Sequence, residues 1–185
     1  MSQRESGYAR KERDLYETPE WVTEALLPHL PDYVRTIWEP ASGYGKMADV
    51  VIKRGFDVYQ TDIDQGHDFL GFQHLPIASL QWPRTPQAII TNPPFDLATP
   101  FIDQALQRVP YGFVAMLLRT DFDHAKSRTH LFRDCPAFAK KLVLMKRIVW
   151  FVEDNGKPKA SPSFNHAWYI WDWKYEGPAT IAYGP

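Results

Sequence analysis

The chain has 185 residues, 44% of them hydrophobic, and a formal net charge of −1; this suits one domain with a sizeable core, and total charge does not advertise a nucleic-acid binder. A single cysteine, Cys135, excludes an internal disulfide and a cysteine-built metal site, and no apolar run reaches membrane-spanning length. Residues 1–13 are polar, with Arg4, Arg10, Lys11 and Arg13, so they read as a flexible basic tail and not a signal peptide, ahead of one folded domain over residues 14–185 with a cytoplasmic location expected.

The first predicted element is a helix with Thr18 as N-cap and Pro19 at the first helical position. Tyr16 ahead of it is either a hydrophobic staple or a ligand contact. Residues 34–38 form a short β-prone run that enters Glu39-Pro40-Ala41-Ser42-Gly43-Tyr44-Gly45. Met47, Val50 and Val51 then recur at helical spacing until Gly55 closes the helix. Strand, glycine-rich turn and helix make a nucleotide-binding unit: Gly43 and Gly45 let a ligand approach the backbone, beside the unpaired N–H groups of a helix start. Gly45-Lys46 does not make it a Walker A loop, because Pro40 stands where the first glycine should be and Met47 where Ser or Thr should be. Nor does a third glycine follow at dinucleotide-binding spacing.

Residues 57–61 read as the next strand, ending at Asp62 and Ile63, with Asp68-Phe69-Leu70 in the loop beyond; the proline-rich residues 71–87 read as an irregular insertion. The apolar strand Ala88-Ile89-Ile90-Thr91 then runs into Asn92-Pro93-Pro94-Phe95. Successive prolines fix φ near −65° and remove two donors, so the Asn92 and Pro93 carbonyls and the Asn92 carboxamide are free to act as acceptors at the strand's end. Phe95 adds a ring face for a planar group. Together they describe a trap for a flat molecule carrying an NH2.

Thr99-Pro100 caps a helix with Ile102, Ala105, Leu106 and Val109 inward, and residues 112–118 are the following buried strand. Further strands are expected at 142–144, 148–151 and 167–173, the last two joined through Asp154-Asn155-Gly156. The aromatic run Trp168-Tyr169-Ile170-Trp171 reads as a core strand. His124 and His166 read as surface or hydrogen-bonded histidines. Residues 119–147 hold eight basic side chains against three acidic ones, a local surface for phosphates despite the neutral total. Alternating strand and helix argue for an α/β fold, a mostly parallel, doubly wound sheet with helices on both faces.

The glycine turn and the Asn92 tetrapeptide, in this order and spacing, resemble those of the S-adenosylmethionine-dependent amino-methyltransferases of DNA. The resemblance spans nearly the whole chain after the first dozen residues. It implies a Rossmann-like class I methyltransferase domain ending in an antiparallel hairpin, with Asn92, Pro93, Pro94 and Phe95 as the catalytic tetrapeptide. It further implies that Glu39, Pro40, Ala41, Gly43 and Gly45 form the cofactor loop, with Tyr16 and Thr18 packing at the methionine end. Asp62 would accept the ribose hydroxyls with Ile63 beside it, while Asp68 accepts from the adenine amino group and Phe69 lies against that ring. Cys135, in Asp134-Cys135-Pro136, does not match the Pro-Cys pair of carbon-directed enzymes.

The expected reaction is methyl transfer from S-adenosylmethionine to the exocyclic amine of adenine in DNA, the target base being flipped out, and no metal is required. In the family, Asn at the first motif position and Phe at the last lean toward adenine. Phosphate contacts are expected from Arg119, Lys126 and Arg128, or from Lys157 and Lys159 of the late loop. The same acceptor logic also fits a cytosine amine, an RNA base or a protein glutamine amide, and a noncatalytic cofactor- or nucleic-acid-binding module would keep the same fold. The chain leaves little room for a target-recognition domain, so a separate specificity partner or a homodimer is expected.

Overall fold

The computed structural model describes residues 16–71, 85–150 and 164–185. The basic tail, the Asp154-Asn155-Gly156 turn, Lys157, Lys159 and most of the proline-rich insertion lie outside the described residues. Within them are three α-helices, α1 (Glu20–Leu26), α2 (Lys46–Lys53) and α3 (Ala98–Arg108). Seven strands run β1 (Thr36–Glu39), β2 (Asp57–Gln60), β3 (Ala88–Thr91), β4 (Phe113–Arg119), β5 (Phe138–Leu144), β6 (His166–Asp172) and β7 (Thr180–Gly184). They form one sheet in the order β2-β1-β3-β4-β6-β5-β7.

The near-continuous apolar strands explain this order. β1 and β3 are buried at every position and β4 at all but its last, as expected of central parallel strands covered on both faces. Side chains alternate between the faces. Trp38, Ile89, Val114 and Met116 meet α3 through Phe101, Ile102, Ala105 and Leu106. Ile37, Ala88, Ile90 and Leu117 meet α1 and α2 through Val22, Leu26, Met47 and Val51 on the other face. Each such aliphatic side chain contributes about 1.5–3 kcal/mol on burial. Indole donors tie the layers together: Trp168 Nε1 donates to the Val22 carbonyl (2.8 Å) and Trp171 Nε1 to the Leu131 carbonyl (2.6 Å).

β1 pairs in parallel with β2 and β3, and β3 with β4; β6 lies antiparallel between β4 and β5. The doubly wound sheet with an antiparallel late hairpin is thus present, with differences in detail. The hairpin partner of β6 is β5, longer than the expected 142–144, whereas 148–150 has no regular structure. β7 had no counterpart in the sequence reading; it pairs in parallel with β5 at the sheet edge, its Ile181 and Tyr183 exposed. Pro19, not Thr18, is the residue ahead of α1, and no side chain caps that helix. Thr18 is 4% exposed. α3 opens at Ala98, so Thr99 and Pro100 lie inside its first turn, where a missing proline N–H costs no helical bond. No helix among the described residues is long and apolar enough to cross a membrane.

Gly112, at the entry to β4, is required by contact. An added Cβ would strike the Gln87 carbonyl oxygen, which accepts the Phe113 N–H at 3.0 Å and so joins β3 to β4. Gly112→Ala is expected to cost about 1–3 kcal/mol, read as a lower urea midpoint with unchanged slope.

Candidate active site

A cleft of about 510 Å³ opens where β1, β2 and β3 end, the edge at which α/β sheets hold ligands. Its floor is the β1–α2 turn. Gly43 and Gly45 both take positive φ, 52° and 84°, and Gly45 is the residue from which α2 starts. A Cβ on Gly45 would also come within 2.6 Å of Gln60 Oε1. Gly45 is not a wall of the cleft; its contribution is to shape the turn.

Asp62 fastens this turn. It is 8% exposed, and its two oxygens accept the Gly43 N–H (2.8 Å) and the Asp64 N–H (3.0 Å), while Ser42 N–H bonds the Thr61 carbonyl (3.1 Å). Each carboxylate oxygen keeps a lone pair for a further donor. Glu39 lies deeper, 3% exposed, with Oε2 unpartnered among the described residues, as is Ser42 Oγ. Burial pushes the Glu39 carboxyl well above the ordinary range; the Ala48 backbone N–H opposes this, and Asp62 and Asp49 add to it.

The other residues expected at a cofactor are distributed around the same cleft. Tyr16, Thr18, Pro40, Ala41, Ile63, Asp68 and Phe69 all line it. Ile63 is exposed at the mouth, and Asp68 is an exposed loop carboxylate accepting the Leu70 N–H (3.0 Å). Phe69 is 2% exposed and packs on Trp38 and Phe101, with centroids at 5.0 and 4.9 Å, so most of its ring belongs to the core. The sequence reading assigned no role to Glu17 and Lys46. They form a 2.9 Å ion pair at the cleft wall, joining the segment before α1 to the start of α2. Their side chains are 29 residues apart in sequence, and no local spacing announces the pair.

Asn92 and Pro94 line the cleft, whereas Pro93 is buried and Phe95, half-buried, does not line it. Asn92 Nδ2 donates to the Tyr16 carbonyl (3.2 Å), and Asn92 Oδ1 is buried with no partner among the described residues. Phe95 stands in an aromatic group: its ring lies 6.0 Å from Tyr16 and 6.1 Å from His166, and Trp150 lies 5.5 Å from Tyr16 and 5.3 Å from His166. His166 is 2% exposed, which corrects the surface reading, and its Nδ1 has no partner among the described residues.

The basic segment is largely spoken for. Arg119 grips Asp121 through two bonds (3.0 and 2.6 Å) and lies over Phe164 at 4.0 Å. Arg128 donates to the Phe122 carbonyl (2.7 Å) and covers that ring at 3.8 Å. Lys141 pairs with Asp123 and Arg133 with Asp134. Lys126 is exposed, on a shallow hollow that shares no lining residue with the cleft.

No protein-family profile matches the chain, and no curated protein does. Solved structures do resemble it. A type I restriction-modification methyltransferase subunit from Streptococcus thermophilus aligns with TM-score 0.54 and 12% identity over 91% of this chain and 47% of its own. A protein named as a modification subunit of a type I restriction enzyme from Vibrio vulnificus YJ016 gives 0.52 and 13% over 91% and 46%. A Lactococcus lactis protein named as a hemolysin gives 0.54 and 13% over 88% and 89%. The chain spans about half the length of the two restriction-modification subunits. At these identities the likeness is one of fold, a Rossmann-like α/β sheet.

The buried Glu39 has a consequence for stability. With its carboxyl raised, the folded protein holds a proton that the unfolded chain releases above the ordinary value of 4.5, so this group's contribution to stability falls as pH rises through that value toward the folded one. Glu39→Gln keeps the shape and abolishes the titration. Its stability relative to the parent should rise as pH climbs above 4.5 and level off once the folded carboxyl ionises, as measured by urea midpoints.

Proposed function

We propose that the chain is an S-adenosylmethionine-dependent methyltransferase acting on the exocyclic amine of adenine in DNA. The observation that carries this reading is Asn92 Oδ1, a buried acceptor without a partner, at the wall of a cleft floored by a positive-φ glycine turn. An unpaired buried acceptor costs about 1–3 kcal/mol. That cost is relieved when a donor such as an amine enters.

The cofactor half suits S-adenosylmethionine. The remaining lone pairs of Asp62 fit vicinal ribose hydroxyls, and the unpartnered oxygens of Glu39 and Ser42 fit N–H or O–H donors deeper in the cleft. Its volume is that of a small-molecule site. Bound there, the cofactor supplies a methyl group on a positively charged sulfur.

The amine's lone pair is delocalised into its ring, so the chain's task is to draw the hydrogens out of plane and free that pair. Asn92 Oδ1 accepts one of them. The Phe95 ring offers a stacking face worth about 1–3 kcal/mol. Asp62 and the glycine turn hold the donor in line, and such positioning supplies several kcal/mol of barrier reduction. The resemblances to restriction-modification subunits favour DNA as the substrate class and a separate partner for sequence recognition. Of the expected phosphate contacts, Lys126 is the best candidate, since Arg119 and Arg128 are held by Asp121 and Phe122.

Labelled methyl transfer onto DNA, RNA and protein in parallel, followed by nucleoside analysis, tests the reading. Methylated adenine in DNA is expected; label in cytosine, RNA or a protein amide would move the substrate assignment. Asn92→Ala should lose transfer by about 100-fold or more while cofactor affinity by calorimetry stays within about threefold of the parent. Asp62→Ala should do the reverse at the binding step, weakening cofactor affinity about tenfold or more.

A further inference from the structure

Because β6 runs antiparallel to β4, its first residue comes to the sheet edge where β3 and β4 end. His166 therefore stands opposite Arg119, beside the Asn92 turn, although 74 positions separate it from Asn92. Its ring packs on Phe95 and meets Trp150 edge-on. Nδ1 is buried with no partner among the described residues. In the neutral ring with its proton on Nε2, Nδ1 carries a bare lone pair. Burial, reinforced by Arg119, lowers the imidazole to about 4, against smaller opposing effects of Asp121 and Phe164, so the neutral ring prevails at ordinary pH.

A phenylalanine at this position would fill the same space between Phe95 and Trp150 without stranding a nitrogen. Buried polar atoms are almost always paired, so one left bare beside a stacking ring invites a ligand. We propose that His166 Nδ1 is a target-contacting acceptor, a second one beside Asn92 Oδ1, so that a planar group lying on Phe95 is selected by the N–H it directs at His166. This rests on the methyl-transfer reading and sharpens it. A base presenting an amino group on that side gains a hydrogen bond, and one presenting a carbonyl meets a lone pair.

Three substitutions separate this role from packing. His166→Phe keeps the ring and removes the acceptor; His166→Asn keeps a polar atom near Nδ1; His166→Gln reaches instead toward the Nε2 position. His166→Phe is expected to keep cofactor affinity and to melt no lower than the parent, while kcat/KM for plasmid DNA falls about 10- to 100-fold, mainly through KM. His166→Asn should recover part of the loss and His166→Gln none. Transfer by folded His166→Phe equal to the parent's, or equal behaviour of the Asn and Gln variants, would overturn the proposal. If the parent transfers no methyl to DNA, RNA or protein, the methyl-transfer reading falls and this proposal with it. If the parent transfers, Asn92→Ala does not, and His166→Phe is unimpaired, only the role of His166 fails.

Discussion

The double-sided burial of β1, β3 and β4 is the constraint on which the rest depends. With helices on both faces and no exposed flank, these strands present polar groups only where they end. Glu39 closes β1, Asp62 follows β2, and Asn92 follows β3, all at the same edge. Parallel pairing puts these ends side by side, so three polar turns from distant parts of the chain share one cleft. The packed core fixes their relative positions, and the Gly43–Asp62 and Ser42–Thr61 bonds tie the first two of these turns together.

Several polar atoms at this edge remain unpaired. Asn92 Oδ1, Glu39 Oε2, Ser42 Oγ and His166 Nδ1 are all buried without partners among the described residues. A fold selected for stability alone would satisfy or replace them. Their concentration around one cleft and its aromatic neighbour is a local cost in stability, and the raised Glu39 carboxyl is the electrostatic side of the same cost.

The short segment before α1 couples the two halves. Tyr16 offers its carbonyl to Asn92 and its ring to Phe95 and Trp150, while Glu17 reaches Lys46 at the start of α2. The glycine turn and the proline turn thus share a wall supplied by three consecutive residues. The alternatives open for Tyr16, staple or ligand contact, give way to an arrangement in which it lines the cleft and touches the Asn92 turn at once.

What was legible in the sequence is local. The glycine turn, the inward faces of α2 and α3, the buried strands and the Pro-Pro turn each follow from nearest-neighbour chemistry: apolar periodicity, missing donors, and positive φ that only glycine adopts cheaply. The Thr18 cap failed because α1 begins at Glu20 and leaves Pro19, which has no capping side chain, ahead of it, and β7 escaped notice because a short edge strand carries a weak periodic signal. The phosphate-binding surface looked available because charge was counted along the chain, whereas folding paired Arg119 with Asp121 and laid Arg128 on Phe122. His166 is the clearest case. Its residue type and neighbours in sequence point to nothing; only the antiparallel insertion of β6 carries it to the Asn92 edge, where exclusion of water leaves its Nδ1 bare. The residues that build the cleft were therefore determined by local sequence, and which of them stand unpaired and facing one another was decided by strand order and burial, which no local pattern encodes.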